Sequence, residues 1–214
     1  YTVEGVLGQG GVATVYKVRH TELGTLHALK LLQAGNAATR DRLLHEGRTQ
    51  AALMHTNVVR VTDILRLDDS PGLVMEYIDG PSLHQYLQTN PPEIEKALSL
   101  FRGIVRGVAA AHHQGIIHRD LKPANVLLAI THEGVVPKVA DFGLLKSFTT
   151  MKESGGPKTG TGIAMGTPQY MAPEQVRDAS RVDQRADLFS LGVILYELVC
   201  GETPFKGKAM LDVM

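Results

Sequence analysis

Cysteine is nearly absent from this sequence: Cys200 is the only one in 214 residues. An internal disulfide is therefore excluded, and the usage fits a reducing compartment. Its neighbours Leu198 and Val199 predict a buried thiol. Net charge is absent too, since 22 basic and 22 acidic residues cancel. Nothing in that balance asks for nucleic acid or an anionic membrane, so any basic site is local. No run of about 18 apolar residues occurs, and no segment reads as membrane-spanning. No Cys/His spacing supports zinc. The adjacent His112 and His113 cannot share a helix face and read as structural. There is no internal repeat and no linker. The chain opens at Tyr1 without an initiator Met or a signal pattern, and stops at Met214 inside a predicted helix. It reads as an excerpt of a longer protein.

What is present is ordinary globular material. At 43% hydrophobic and 21% charged residues, there is ample core for one domain or two lobes. Residues 1 to 33 read as three strands, with alternation at Val12, Thr14, Tyr16 and Val18 and again at Leu26, Ala28 and Leu29. A helical segment follows at roughly 38 to 54. Val58 to Leu65 and Leu73 to Tyr77 read as two more strands. Gly80-Pro81-Ser82 breaks the chain, with Ser82 as the N-cap of a short helix. Residues 93 to 114 carry Leu98, Phe101, Val105, Val108 and Ala111 or His112 at intervals of three and four, which predicts a long amphipathic helix ended by Gly115. Residues 144 to 165 are polar and rich in Gly, Ser and Thr. Residues 183 to 200 are apolar nearly all round, which predicts a buried helix, and Asp187 within it needs a partner.

The densest chemistry lies in HRDLKPAN, residues 118 to 125. Eight residues hold a carboxylate, an ammonium, a guanidinium and an amide, too much charge for a core. Asp120 can accept a proton, Lys122 can face a developing negative charge, and Asn125 offers an oxygen suited to a hard cation. By itself the stretch reads equally as a polar surface turn. The glycines of GQGGVATV, residues 8 to 15, let backbone N–H groups approach phosphate. No helix start follows them, which argues against a dinucleotide fold. Lys30 lies within an apolar strand pattern, where a lysine points either to solvent or inward to a partner.

Taken together, in order and spacing, these segments resemble the eukaryotic-like (Hanks-type) protein Ser/Thr kinase catalytic domain in its bacterial form. HRDLKPAN is similar to the family's catalytic loop, with Lys two residues after Asp as in the Ser/Thr class. Asp141-Phe142-Gly143, 21 residues after Asp120, is similar to its D-F-G motif, and Ala172-Pro173-Glu174 to its A-P-E motif. The likeness runs from Gly8 to about Phe205. It implies an α+β, bilobal protein-kinase fold. An antiparallel N-lobe sheet plus one helix would occupy residues 1–77, and a mainly helical C-lobe, cut off before its last helices, residues 78–214.

The resemblance implies roles residue by residue. Asp120 would be the catalytic base, with Lys122, Lys30 and its ion-pair partner Glu46 completing the catalytic set. Leu7, Gly8, Gly10, Val15, Ala28, Lys30, Glu76, Ile78 and Leu127 would bind ATP, with Met75 as gatekeeper and residues 76 to 78 as hinge. Asn125 and Asp141 would hold Mg²⁺. Thr159 and Thr161 would be phosphosites. Arg119 would receive the phosphate, Thr167 and Glu174 would belong to the activation segment, and Asp187 would hold the catalytic-loop backbone. Asp41 reads as a first-turn residue. In the family Glu174 pairs with an Arg that the excerpt would lack, in a partly buried site.

The expected partners are proteins carrying Ser or Thr and a homodimer for autophosphorylation. Neither nucleic acid nor membrane contact by this segment is expected, and the domain would be cytoplasmic. Two departures stand out: Ala13 replaces the third family glycine, which is tolerable at negative φ, and Gln50 replaces a usual apolar residue. They favour the alternative of a pseudokinase or scaffold module. The presence of Lys30, Asp120 and Asp141 opposes it. A small-molecule phosphotransferase of related fold would lack the A-P-E segment.

Overall fold

The computed structural model describes residues 1–10, 13–32, 44, 47–67, 70–89, 91–142, 168–177 and 182–207. The chain divides into two compact units. One is Tyr1–His55 with Val59–Ile78, the other Thr56–Val58 with Asp79–Met214.

The first unit is built on an antiparallel sheet. Its strands are β1 (Thr2–Gln9), β2 (Ala13–Arg19), β3 (Leu26–Leu32), β4 (Val61–Leu67) and β5 (Ser70–Glu76), in the order β1-β2-β3-β5-β4. The period-2 pattern works as expected: Val18, Leu29 and Val74 share one buried face, with Tyr16, Leu31 and Leu65 packed around it. Residues 47–52 are helical. That helix lies close on the sheet at Gly47, where an added Cβ would stand 2.5 Å from Leu73 Cδ2. Ala13 is buried in β2, and the described non-glycine residues with positive φ are Arg119 and Asp141 alone. The condition for tolerating alanine there is met.

In the second unit, α1 (Leu83–Thr89) starts at the expected cap. Ser82 Oγ accepts the Gln85 N–H at 3.2 Å, and Gln85 Oε1 accepts the Ser82 N–H at 2.9 Å, a capping box. The long helix α2 (Ile94–His113) ends at Gly115, φ 73. Its buried face differs from the expected one. Ala97, Leu100, Gly103, Ile104, Gly107, Val108 and Ala111 point inward, while Leu98 is 38% exposed. Glycine explains the offset. A Cβ on Gly103 would lie 2.5 Å from Pro137 Cγ, and one on Gly107 would overlap the Asn57 carbonyl oxygen. The helix is drawn onto this side because its smallest residues let Asn57 and Pro137 come close.

The hairpin β6 (Val126–Thr131) and β7 (Gly134–Val139) carries the catalytic-loop region at its start. Asn57 ties it down, donating from Nδ2 to Pro137 O and accepting the Val139 N–H on its carbonyl, both at 2.9 Å. Beyond it lie a short helix α3 (Pro173–Arg177) and α4 (Arg185–Cys200). Helix α4 is buried on one side through Ala186, Asp187, Ser190, Leu191, Val193, Ile194 and Leu198. Contrary to the all-round burial expected, Leu188 is 56% and Val199 50% exposed, and Cys200 is exposed as well. Apolar composition alone does not say which side of a helix finds neighbours. Among the described residues no helix is long and apolar enough to cross a membrane.

Candidate active site

The catalytic loop leaves α2 through Gly115 and runs into a 3₁₀ turn, Pro123–Asn125, that opens β6. Proline fixes φ at the start of that turn. Asp187, in the first turn of α4 and fully buried, holds the loop from behind. Its Oδ2 accepts the His118 N–H and its Oδ1 the Arg119 N–H, each at 2.8 Å. His112 Nε2 also lies 2.7 Å from Oδ2. An ionised carboxylate only accepts, so that imidazole nitrogen donates.

His118 is fully buried. Its Nδ1 accepts the Asp120 N–H at 3.3 Å, so Nε2 carries the hydrogen and donates to Ala140 O at 2.8 Å. Burial holds its pKa below the ordinary value, against the opposing pull of Asp187, the Ala140 carbonyl, Asp120 and Asp141. Its ring packs against Phe142 with centroids 4.8 Å apart. One neutral imidazole thus links the loop to the residues that flank Asp141.

In front, three polar residues expected to act together do meet. Lys122 Nζ lies 2.9 Å from Asp120 Oδ2. Asn125 Nδ2 donates to Asp120 O at 2.8 Å and to Asp120 Oδ2 at 3.3 Å. All three are half-buried, which leaves the carboxylate reachable. Arg119 and Asp141 have φ of 64 and 62. Such left-handed backbone in non-glycine residues is held by surrounding bonds and clusters at functional sites.

The segment after the Thr-rich stretch is anchored on α4. Tyr170 OH donates to Glu197 Oε2 at 2.6 Å, and Ser190 Oγ donates to Tyr170 O at 2.8 Å. Burial, then Glu197, raise the Tyr170 pKa, so the phenol stays protonated. Ala172-Pro173-Glu174-Gln175 opens α3 with proline at its first position. Glu174 is exposed in that first turn, not partly buried as expected, and Arg185 feels its charge. Sequence reasoning also passed over Gln175, whose Nε2 donates to Arg119 O at 2.8 Å.

On the first unit, Val15 pairs opposite Lys30 and Ala28 opposite Met75. Lys30 is 3% exposed, so it is buried and does not point to solvent. Leu7 is exposed on β1, Gly8 pairs with Val15, and Gly10 N–H donates to Ala13 O at 2.9 Å. Glu76 ends β5 and exchanges bonds with Arg60, its N–H to Arg60 O and its Oε1 from Arg60 N–H, both at 2.9 Å. Ile78 is half-buried; on the second unit, so is Leu127, bridged to Ser82. Asp41, Glu46, Thr159, Thr161 and Thr167 lie outside the described residues.

Comparison with known proteins agrees with this geometry. The protein kinase domain family matches residues 1–213. The serine/threonine-protein kinase PknL of Mycobacterium bovis is 38% identical, the match covering all of this chain and 52% of that protein. The serine/threonine-protein kinase pkn2 of Myxococcus xanthus is 38% identical over 94% of this chain and 24% of its own length. The chain thus spans about a quarter to a half of these relatives. A crystal structure of Rad53 in complex with AMP-PNP is 27% identical, with TM-score 0.78, over 99% of this chain and 51% of that one. The chain belongs to the protein kinase domain family and has the eukaryotic-like serine/threonine form found in bacteria.

Proposed function

We propose that the protein carrying this domain is an ATP-dependent serine/threonine kinase that moves the γ-phosphoryl group of ATP to Ser or Thr hydroxyls of proteins. The observation that carries the reading is the meeting of Asp120, Lys122 and Asn125 on a loop held by Asp187. In this reading Asp120 orients the substrate hydroxyl and takes its proton while the oxygen bonds to the γ-phosphorus. The bond from that phosphorus to the β–γ bridging oxygen breaks, and ADP leaves. Lys122 and Lys30 stabilise the phosphoryl oxygens, and Glu46 orients Lys30. Little covalent help is needed, so positioning and electrostatics carry most of the rate.

Nucleotide binding falls to Leu7, Gly8, Gly10, Val15, Ala28, Lys30, Glu76, Ile78 and Leu127 by family likeness. The similar Rad53 structure, which holds AMP-PNP, supports it. The donor set at Asn125 and Asp141 suits Mg²⁺. Asn125 Nδ2 is committed to Asp120, which leaves its Oδ1 as a hard oxygen donor beside a carboxylate. Mg²⁺ bound there supplies neutralisation of phosphate charge. Thr159 and Thr161 are the proposed autophosphorylation sites, with Arg119 as phosphate receiver, within a cytoplasmic domain that pairs with a second copy to be modified. Incubation with labelled ATP and Mg²⁺ tests the reading. Label should enter Ser and Thr of a generic protein substrate and residues 144 to 167. Equal labelling in the presence of EDTA, or phosphate found entirely outside residues 144 to 167 in an active preparation, would contradict the metal and the phosphosite assignments respectively.

A further inference from the structure

Gln175 occupies the third position of α3 and is buried. Its amide is used at both ends. Oε1 accepts the Ala172 N–H at 3.2 Å, the N3-to-N-cap half of a capping box, which Ala172 has no hydroxyl to answer. Nε2 donates to the carbonyl of Arg119 at 2.8 Å, 56 residues away in sequence. The helix has no need of this second bond. It lands on the peptide that joins Arg119 to Asp120.

The N–H of that peptide faces His118 Nδ1 at 3.3 Å, a long contact. Arg119 sits at φ 64, with its own N–H taken by Asp187 Oδ1 at 2.8 Å. A strained backbone persists only where its surroundings over-determine it. Gln175 supplies the bond on the carbonyl side. The amide cannot be turned round: reversed, its NH₂ would face the Ala172 N–H and its oxygen the Arg119 carbonyl.

We infer that Gln175 is a positioning residue for Asp120, tying residues 168–177 to the peptide that aims the catalytic carboxylate. The inference rests on the kinase reading above. It also gives the end of the activation segment a direct physical line to the catalytic loop. The line is one hydrogen bond long and independent of any phosphate.

Two variants of nearly the same shape test it. Gln175→Met removes both bonds. Gln175→Glu keeps the acceptor for Ala172 but turns an anion toward the Arg119 carbonyl. Both should lower kcat by roughly 10- to 100-fold, the scale of a small misplacement, and leave the KM for ATP in place. Both should also speed hydrogen exchange at the Asp120 amide, read by NMR or on a peptide spanning 118–121. A lower Tm with kcat and Asp120 exchange both unchanged would mean that Gln175 only caps α3, and would overturn the inference. If the parent protein transfers no phosphate while Asp120 exchange still quickens in both variants, the link stands and the kinase reading fails.

Discussion

Asp187 Oδ1 accepts the backbone N–H of Arg119 at 2.8 Å, so a buried carboxylate on α4 fixes the loop residue that precedes Asp120. The same side chain serves His118 and His112 through Oδ2. Asp187→Asn keeps one oxygen and turns an NH₂ group toward donors. At least one buried group is then unsatisfied, at a cost of about 1–3 kcal/mol. Chemical denaturation should show that loss of stability together with reduced phosphoryl transfer. An Asn variant as stable and active as the parent would remove Asp187 from the account.

His118 gives a pH dependence. Its pKa in the folded protein lies below its ordinary value of 6.5 because burial disfavours the charged form. As pH falls below about 6.5 the unfolded chain takes up a proton that the folded chain refuses, so stability is lost toward acid. Above that pH both states are neutral at this site and the full stability is present. Tm should therefore drop between pH 7.5 and 5.5. In His118→Phe, whatever its absolute Tm, the slope in that window should flatten.

Gln50 is 3% exposed, and among the described residues neither its Oε1 nor its Nε2 has a hydrogen-bond partner. Exchanging the amide for an apolar group of similar shape removes that penalty. Gln50→Met should stabilise the protein by roughly 1–3 kcal/mol. A fall in denaturation midpoint would show that the amide is satisfied in solution.

Two helical glycines should respond with opposite signs. Glycine to alanine inside an exposed helix gains about 1 kcal/mol from propensity. At Gly192, on an exposed side of α4 with nothing within 4 Å among the described residues, that gain should appear. At Gly107 the new methyl would overlap the Asn57 carbonyl, and overpacking of about 1–3 kcal/mol should win. Thermal melts of the two single variants decide both.

The strands, the Ser82 cap and the Gly115 stop could be read from sequence because each is a local signal: alternation, a hydroxyl acceptor, a residue free to adopt positive φ. The buried face of α2 could not. Hydrophobicity gives no weight to Gly103 and Gly107, yet their lack of a side chain is what brings Asn57 and Pro137 close. Motif spacing is what singles out Lys30, Asp120, Asn125 and Asp141 as candidates. The left-handed backbone of Arg119 and Asp141 was not legible, since no glycine marks it. Gln175 was passed over, because no hydroxyl at Ala172 marks a cap and a bond to Arg119 depends on which chain segments the fold brings together. Exposure of Cys200 and Leu188 was missed because an apolar run does not reveal which of its sides is covered.

The most direct test of the central claim is phosphoryl transfer from labelled MgATP to a protein substrate by the parent and by Asp120→Asn. The Asn side chain keeps the shape and can still meet Lys122 and Asn125, but it cannot take up the substrate proton. The parent should label Ser and Thr, and the variant should do so at least about 10²- to 10⁴-fold more slowly, the range of a positioned general base. Equal rates in the two proteins would contradict the role of Asp120, and an inactive parent would contradict the kinase reading itself.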